Sequence, residues 1–203
     1  MAEQFIRGYH IEDVKDLYTI VGSNDQKIII AVNKLSQLDE VDDLISSLGI
    51  NKALNHIITG KLNSKNAYHY FRTLELFLEV KGKMINDEIV LPGRGWQEIK
   101  TNFFEWGLPT LGKAWCNKDF YFPWQEGNTK LLPDWPLAIV LKKSDVLALK
   151  EEIKGFDKNS LSKHPLPERL QGLDEEVLLL ISTLKKWLNK TTGDLVLLLD
   201  GQQ

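Results

Sequence analysis

The sequence predicts a single α+β domain, with several helices packed on a small mixed sheet. At 203 residues the chain is long enough to bury one substantial core. Residues 3–11, 137–143 and 194–201 have the length and composition of strands, and apolar residues recur at helical spacing in the segments between them. We expect residues 1–203 to form one domain, with a flexible connector at 156–171, where the sequence is polar and contains prolines.

A series of helices is predicted after the first strand. Apolar residues recur at helical spacing through 11–21, and Ser23 and Gln26 then have the spacing of a capping box, in which each side chain binds a backbone N–H of the other. Two further short helices are expected at 39–49 and 51–60, because a glycine closes each segment.

The strongest helix of the N-terminal half is predicted at 64–82. Tyr68, Arg72 and Glu75 lie along one side of it, and the spacing of Arg72 and Glu75 predicts an ion pair. Such a polar trio has two interpretations: a catalytic group, or an exposed ion pair beside a boundary tyrosine. We favour the second, since exposed pairs of this kind are common and contribute little.

Aromatic residues are concentrated in the middle of the chain. Residues 96–135 hold five of the six tryptophans, and 119–124, DFYFPW, is predicted to be a short strand, which Pro123 either ends or confines to the edge of the sheet. The rings could pack a loop-rich segment onto the sheet and helices, since each buries roughly 150–250 Å². They could also form a binding surface, because aromatic residues are enriched at interfaces. We favour the core. The residues that would form a binding surface with the helix at 64–82 are Tyr68, Arg72, Glu75, Trp106, Trp115, Tyr121, Trp124 and Trp135.

Two helices are predicted nearer the C-terminus, and the second is amphipathic. The first spans 144–156, begins at Ser144 and stops near Gly155; the second spans 173–193. The residues of the second helix expected to face inward are Val177, Leu180, Ile181, Leu184, Trp187 and Leu188.

Composition argues against several kinds of site. The 25 basic and 28 acidic residues are interspersed, so the sequence predicts no nucleic-acid surface. Cys116 is the sole cysteine, which excludes an intrachain disulfide. The four histidines are dispersed, and neither a helical zinc motif nor a phosphate-binding loop is present. We therefore expect no cofactor, no metal and no catalytic residue that can be named.

An ordered series of short motifs runs through residues 8–150. They comprise Gly22, Ser23, Asp25, Ile57, Ile58, Gly60, Tyr68, Tyr70, Glu75, Gly107, Leu108, Pro109 and Pro123. In this order they resemble an uncharacterised bacterial domain family. That family has Phe-Pro where this chain has Trp135 and Pro136, and Leu-Cys where it has Leu76 and Phe77, which excludes a thiol role there. The resemblance implies an α+β domain and carries no catalytic residues.

The hypotheses about function follow from these patterns. We expect a cytoplasmic protein that does not associate with membranes, because the N-terminus lacks a signal-peptide core and the longest apolar runs are too short to span a bilayer. A non-catalytic protein-interaction module, such as an immunity protein that blocks a toxin, is the favoured hypothesis, with a protein partner. The alternative is a small-molecule or carbohydrate-binding enzyme whose site lies at the aromatic segment 96–136. The sequence does not determine the oligomeric state.

Overall fold

An antiparallel sheet lies between two layers of helices. The computed structural model describes residues 3–36, 44–61, 67–85, 89–92, 99–100, 102–122, 137–166, 168–170 and 172–201. The strands are β1 (Glu3–Ile11), β2 (Lys83–Met84), β3 (Ile89–Pro92), β4 (Leu137–Leu141) and β5 (Asp194–Gly201). This confirms the single α+β domain. The described strand pairs are all antiparallel, so the sheet is not mixed as the sequence had suggested.

The first and last strands of the chain pair at the centre of the sheet. The strand order is β2-β1-β5-β4, and β3 pairs with β1 as well. Phe5 lies opposite Asp200 at one end of the β1–β5 pair, and Ile11 lies opposite Asp194 at the other. Strand β4 is buried along its whole length, as its continuous apolar run predicts.

Successive residues of each strand face opposite sides of the sheet, and each side is covered by its own helices. The helices are α1 (Lys15–Tyr18), α2 (Gln26–Ser36), α3 (Leu44–Thr59), α4 (Ala67–Lys81), α5 (Asn102–Glu105), α6 (Pro109–Cys116), α7 (Lys143–Lys154), α8 (Lys158–Lys163) and α9 (Asp174–Lys190). Helices α1–α4 cover the side of Tyr9 and Val196, which we call the first core. Helices α5–α9 cover the side of Ile6 and Leu197, the second core.

Gly8 allows α9 to approach the sheet closely. A Cβ atom at this position would lie 2.7 Å from a ring carbon of Trp187 on α9. Trp187 is fully buried, and the other α9 residues predicted to face inward are buried with it. The flat surface of β1 at Gly8 therefore accommodates an indole that packs directly on the backbone.

The helix predicted at 11–21 is mostly replaced by strand and turn. Residues up to Ile11 pair with β5, so their backbone hydrogen bonds belong to the sheet. Helix α1 follows as a single turn, and Asp13 Oδ1 accepts the backbone N–H of Lys15 at 2.9 Å. The predicted capping box at Ser23 and Gln26 is also wrong, because Asp25 accepts the backbone N–H of Lys27 at the start of α2.

Helix α3 replaces the two short helices that had been predicted. It continues through Gly49 and ends where Gly60, with a φ of 70°, adopts the left-handed conformation. A Cβ atom at Gly49 would overlap the imidazole of His69 on α4. Gly49 is therefore a point of close contact between helices, and it does not end a helix.

The segment expected to be a connector, 156–171, contains regular structure where it is described. Asp157 caps α8 by accepting the backbone N–H of Ser160 at 3.0 Å, and Glu168–Leu170 forms a 3₁₀ turn. Leu161, Leu166 and Leu170 are buried in the second core. These leucines fasten the segment to the domain.

Candidate functional site

Two arginines and two carboxylates meet where α4 crosses one end of the sheet. Arg72 Nη1 lies 3.0 Å from Glu75 Oε2, which confirms the predicted pairing on α4. Arg7 of β1 also pairs with Glu75, through Nη1 and Oε1. Asp200 of β5 approaches both guanidinium groups, at 3.6 Å from Arg7 and 3.4 Å from Arg72. We call these four residues the arginine–carboxylate cluster.

Burial distinguishes the cluster from the exposed ion pair that the sequence suggested. The side chain of Glu75 is 10% exposed and that of Arg72 is 36% exposed, so the carboxylate lies inside and one guanidinium reaches the surface. Tyr9 adds a hydroxyl 3.4 Å from Glu75 Oε1. Burial, followed by the negative charge of Glu75, raises the pKa of Tyr9 far above its ordinary value. The tyrosine is therefore a neutral donor to the carboxylate.

Apolar side chains extend the cluster toward the edge of the sheet. Val90 lies opposite Phe5, and Phe5 lies opposite Asp200, so the three residues form one row across β3, β1 and β5 on the face that carries Arg7. Val90 is 43% exposed and Phe5 is half-buried. The row and the cluster together present apolar surface next to guanidinium groups.

The aromatic residues predicted as site members lie elsewhere when they are described. Trp106 and Trp115 are buried in the second core, on the opposite side of the sheet from Arg72 and Glu75. Trp106 Nε1 donates to the carbonyl of His164 at 2.7 Å. Tyr121 is half-buried against the same core and bridges to Ile139 of β4. These indoles pack the interior, as the favoured interpretation predicts.

The segment predicted as a strand, DFYFPW, begins as a 3₁₀ turn, Lys118–Phe120. Asn117 starts this turn by accepting the backbone N–H of Asp119 at 3.0 Å, which removes the segment from extended geometry. Phe122 crosses to the first core and packs edge-on against Tyr18, with ring centroids 5.3 Å apart. The side chain of Tyr68, together with Trp96, Trp124 and Trp135, lies outside the described residues. The carbohydrate-binding hypothesis therefore depends on those residues.

A second polar site lies at the other end of the sheet, and sequence reasoning missed it. A cavity of about 420 Å³ opens where the turn after β1, the start of α7 and the start of β5 meet. The residues around it include Lys15, Tyr18, Lys142, Lys143, Ser144 and Asp194. We call it the Asp194 cavity.

Asp194 holds the walls of this cavity together. Its Oδ2 accepts the backbone N–H of Val14 and its Oδ1 accepts that of Lys143, both at 2.8 Å. The carboxylate therefore occupies the N-terminus of α7, where the helix dipole favours a negative charge. Burial, followed by the charges of Asp194 and Asp13, raises the pKa of Tyr18 to about 12. The phenol is a protonated hydroxyl at neutral pH.

Two further findings concern the part of the chain that the structure describes. There, no three or more His, Cys, Asp and Glu side chains are grouped to hold a metal ion. No helix among those residues has both the length and the apolar composition needed to cross a bilayer.

In comparisons with known proteins, no protein-family model, curated protein or solved structure matches this chain. The resemblance to an uncharacterised bacterial family stays a prediction. The two sites must therefore be interpreted from their own chemistry.

Proposed function

We propose that the chain is a non-catalytic protein-interaction module, of the immunity type in which a bacterial protein blocks a partner toxin. One observation carries this proposal: exposed Val90 and half-buried Phe5 adjoin the arginine–carboxylate cluster, from which Arg72 reaches the surface. Arginine and aromatic side chains beside apolar surface are the residue types that dominate protein interfaces.

The internal bonding of the cluster supports a binding role. Glu75 pairs with Arg7 and Arg72 and lies near the hydroxyl of Tyr9, so both of its carboxylate oxygens already face donors of the same chain. A general base needs a free oxygen within hydrogen-bond reach of the substrate. Held in this way, Glu75 orients the two guanidinium groups.

The chemistry of the surface indicates the chemistry of the partner. A guanidinium forms paired hydrogen bonds with a carboxylate, and Val90 and Phe5 offer apolar contact within the same patch. We expect a partner segment in which an acidic side chain lies next to an apolar one. Arg72 would receive the acid, because it is the more exposed of the two arginines.

Crosslinking followed by affinity measurement tests this proposal. A photoreactive residue placed at position 90 in cells that naturally make the protein is expected to capture one discrete partner. The control position is Leu147 on α7, which is 54% exposed and so at least as accessible as Val90 at 43%. The captured partner, once purified, is then titrated with the wild type, Val90→Lys and Leu147→Lys.

The expected result is a loss of affinity specific to position 90. Val90→Lys should weaken binding at least about tenfold, which corresponds to roughly 1.4 kcal/mol, and Leu147→Lys should leave it unchanged. Both positions are exposed, so both variants should fold. The proposal fails if position 90 captures nothing, or if the two lysine variants bind the partner equally.

A further inference from the structure

The arginine–carboxylate cluster is balanced in charge, and this balance affects how it can receive an acidic partner. Arg7 and Arg72 supply two positive charges, and Glu75 and Asp200 supply two negative ones. A carboxylate from outside would add a third negative charge to this group, and like charges placed close together disfavour association. The acidic side chain expected in the partner would therefore bind best where one of the two internal carboxylates withdraws.

The distances within the cluster distinguish the two carboxylates. Glu75 lies 3.0 Å from Arg72, pairs with Arg7 as well, and has the hydroxyl of Tyr9 at 3.4 Å. The contacts of Asp200 with the guanidinium groups are longer, at 3.6 Å to Arg7 and 3.4 Å to Arg72. A charge-assisted hydrogen bond between a guanidinium and a carboxylate is roughly 2.7–2.9 Å long. A carboxylate that approached Arg72 more closely would therefore gain more from it than Asp200 does.

Asp200 also lies beside the surface that we expect the partner to cover. It belongs to the same row across the sheet as Phe5 and Val90, next to Gly201, the last residue of β5. The pairing of β5 with β1 is made by backbone groups, so rotation of the Asp200 side chain leaves the strands in place. Glu75, in contrast, lies within α4 and links that helix to β1 through Arg7. Asp200 is the carboxylate that can withdraw.

We propose that Asp200 is an internal competitor, which occupies the guanidinium groups in the free protein and gives way to an acidic side chain of the partner. This inference rests on the interaction surface proposed above and adds a residue that determines its specificity. An acidic segment must displace a carboxylate already in place, so its charge alone contributes little. A segment that also contacts Val90 and Phe5 gains apolar burial, and Asp200 therefore selects against partners that offer only negative charge.

Nuclear magnetic resonance titration with defined peptides tests this competition on the full chain. The probes are acetyl-Leu-Glu-Leu amide and acetyl-Leu-Gln-Leu amide, which differ only in the carboxylate. The glutamate peptide is expected to shift the side-chain Nε–H signal of Arg72 and the backbone amide signals of Phe5 and Val90. Asp200→Asn should lower its dissociation constant at least about threefold, because one screened charge no longer competes. The affinity for the glutamine peptide should not change.

Matched variants separate competition from a general change in net charge. Asp16→Asn removes the same charge from an exposed position of α1 and should leave the affinity for the glutamate peptide unchanged. Asp200→Ala removes the carboxylate in a second way and should tighten binding as Asp200→Asn does, so the result does not depend on one variant folding. Val90→Ser removes apolar contact without adding charge and should weaken binding of the same peptide.

These results allow the two proposals to fail separately. If Val90→Ser weakens binding while neither Asp200 variant tightens it, the interaction surface stands and the competition is refuted. The competition is also overturned if Asp16→Asn tightens binding equally, or if the glutamate peptide leaves the Arg72 signal unmoved in every variant. Failure of position 90 to capture a partner in cells would instead count against the interaction surface.

Discussion

Asp194 and Val14 are joined by a buried hydrogen bond between residues 180 positions apart: the carboxylate Oδ2 accepts the backbone N–H of Val14 at 2.8 Å. The second oxygen accepts the N–H of Lys143 at the start of α7. One carboxylate thus ties the turn after β1 to the start of α7 and to β5.

Replacing that carboxylate should destabilise the fold. In Asp194→Asn, the amide can accept one of the two N–H groups, and its own NH₂ then faces the other. We expect the free energy of unfolding to fall by about 2 kcal/mol, the cost of leaving a buried donor unpaired. Urea unfolding measures the change. Asp16→Asn, at an exposed position of α1, should change stability by less than about 0.5 kcal/mol, and equal losses would contradict this role for Asp194.

The arginine–carboxylate cluster should be sensitive to loss of its central acid. Glu75→Gln removes the negative charge that Arg7 and Arg72 share and leaves the more distant contacts of both guanidinium groups with Asp200. We expect a loss of about 3 kcal/mol, as when one partner of a largely buried ion pair is removed. The matched control is Glu151→Gln, since Glu151 pairs with Lys154 at 2.9 Å where both side chains are 70% exposed. That change should cost less than about 0.5 kcal/mol in the same urea assay, and a similar cost for both would refute a buried cluster.

Adding a methyl group at Gly8 should disturb the packing of α9. Its Cβ would lie 2.7 Å from the ring of Trp187, which is fully buried in the second core, so the indole would have to shift against closely packed neighbours. We expect Gly8→Ala to lower the free energy of unfolding by about 2 kcal/mol. Gly155→Ala is the matched control, because a Cβ atom there meets nothing within 4 Å. Thermal unfolding measures the stability of both variants. If Gly8→Ala is as stable as Gly155→Ala, the indole of Trp187 does not pack directly on β1.

The raised pKa of Tyr18 predicts a loss of stability in alkali. Between pH 10.0 and about 12, the tyrosine ionises in the unfolded chain before it does so in the folded protein, so unfolding becomes more favourable as the pH rises. Below pH 10 this contribution to stability is fully present. Tyr18→Phe should make the free energy of unfolding fall less steeply across this interval, with Tyr9 contributing part of the remaining slope.

A second variant tests the cause of the raised Tyr18 pKa by removing the negative charge of Asp194 beside the phenol. Because the charge of Asp194 helps to raise the pKa of Tyr18, Asp194→Asn should lower it. Ultraviolet absorbance of the phenolate follows the titration directly. Parallel pH profiles for the wild type and Tyr18→Phe would show that the tyrosine is not buried as described.

Most of the regular elements follow from local patterns in the sequence. Apolar runs and helical periodicity predict strands β1, β4 and β5 and helix α9, because the spacing of apolar residues reflects which side of an element is buried. The pairing of Arg72 with Glu75 was also local, since the two side chains are neighbours on one helix. Gly49 misled the prediction, because a glycine that ends a helix and one that admits His69 look the same in sequence.

The sequence by itself determined the α+β class and the buried faces of the main elements, and it favoured an interior position for the aromatic rings, which Trp106 and Trp115 have in the structure. Only the tertiary structure decided what meets at the two ends of the sheet. Arg7 joins Asp200, and Val14 joins Asp194, because the first and last strands pair in one particular register. Register depends on contacts between distant parts of the chain, and a shift by one residue would turn these side chains to the opposite face of the sheet.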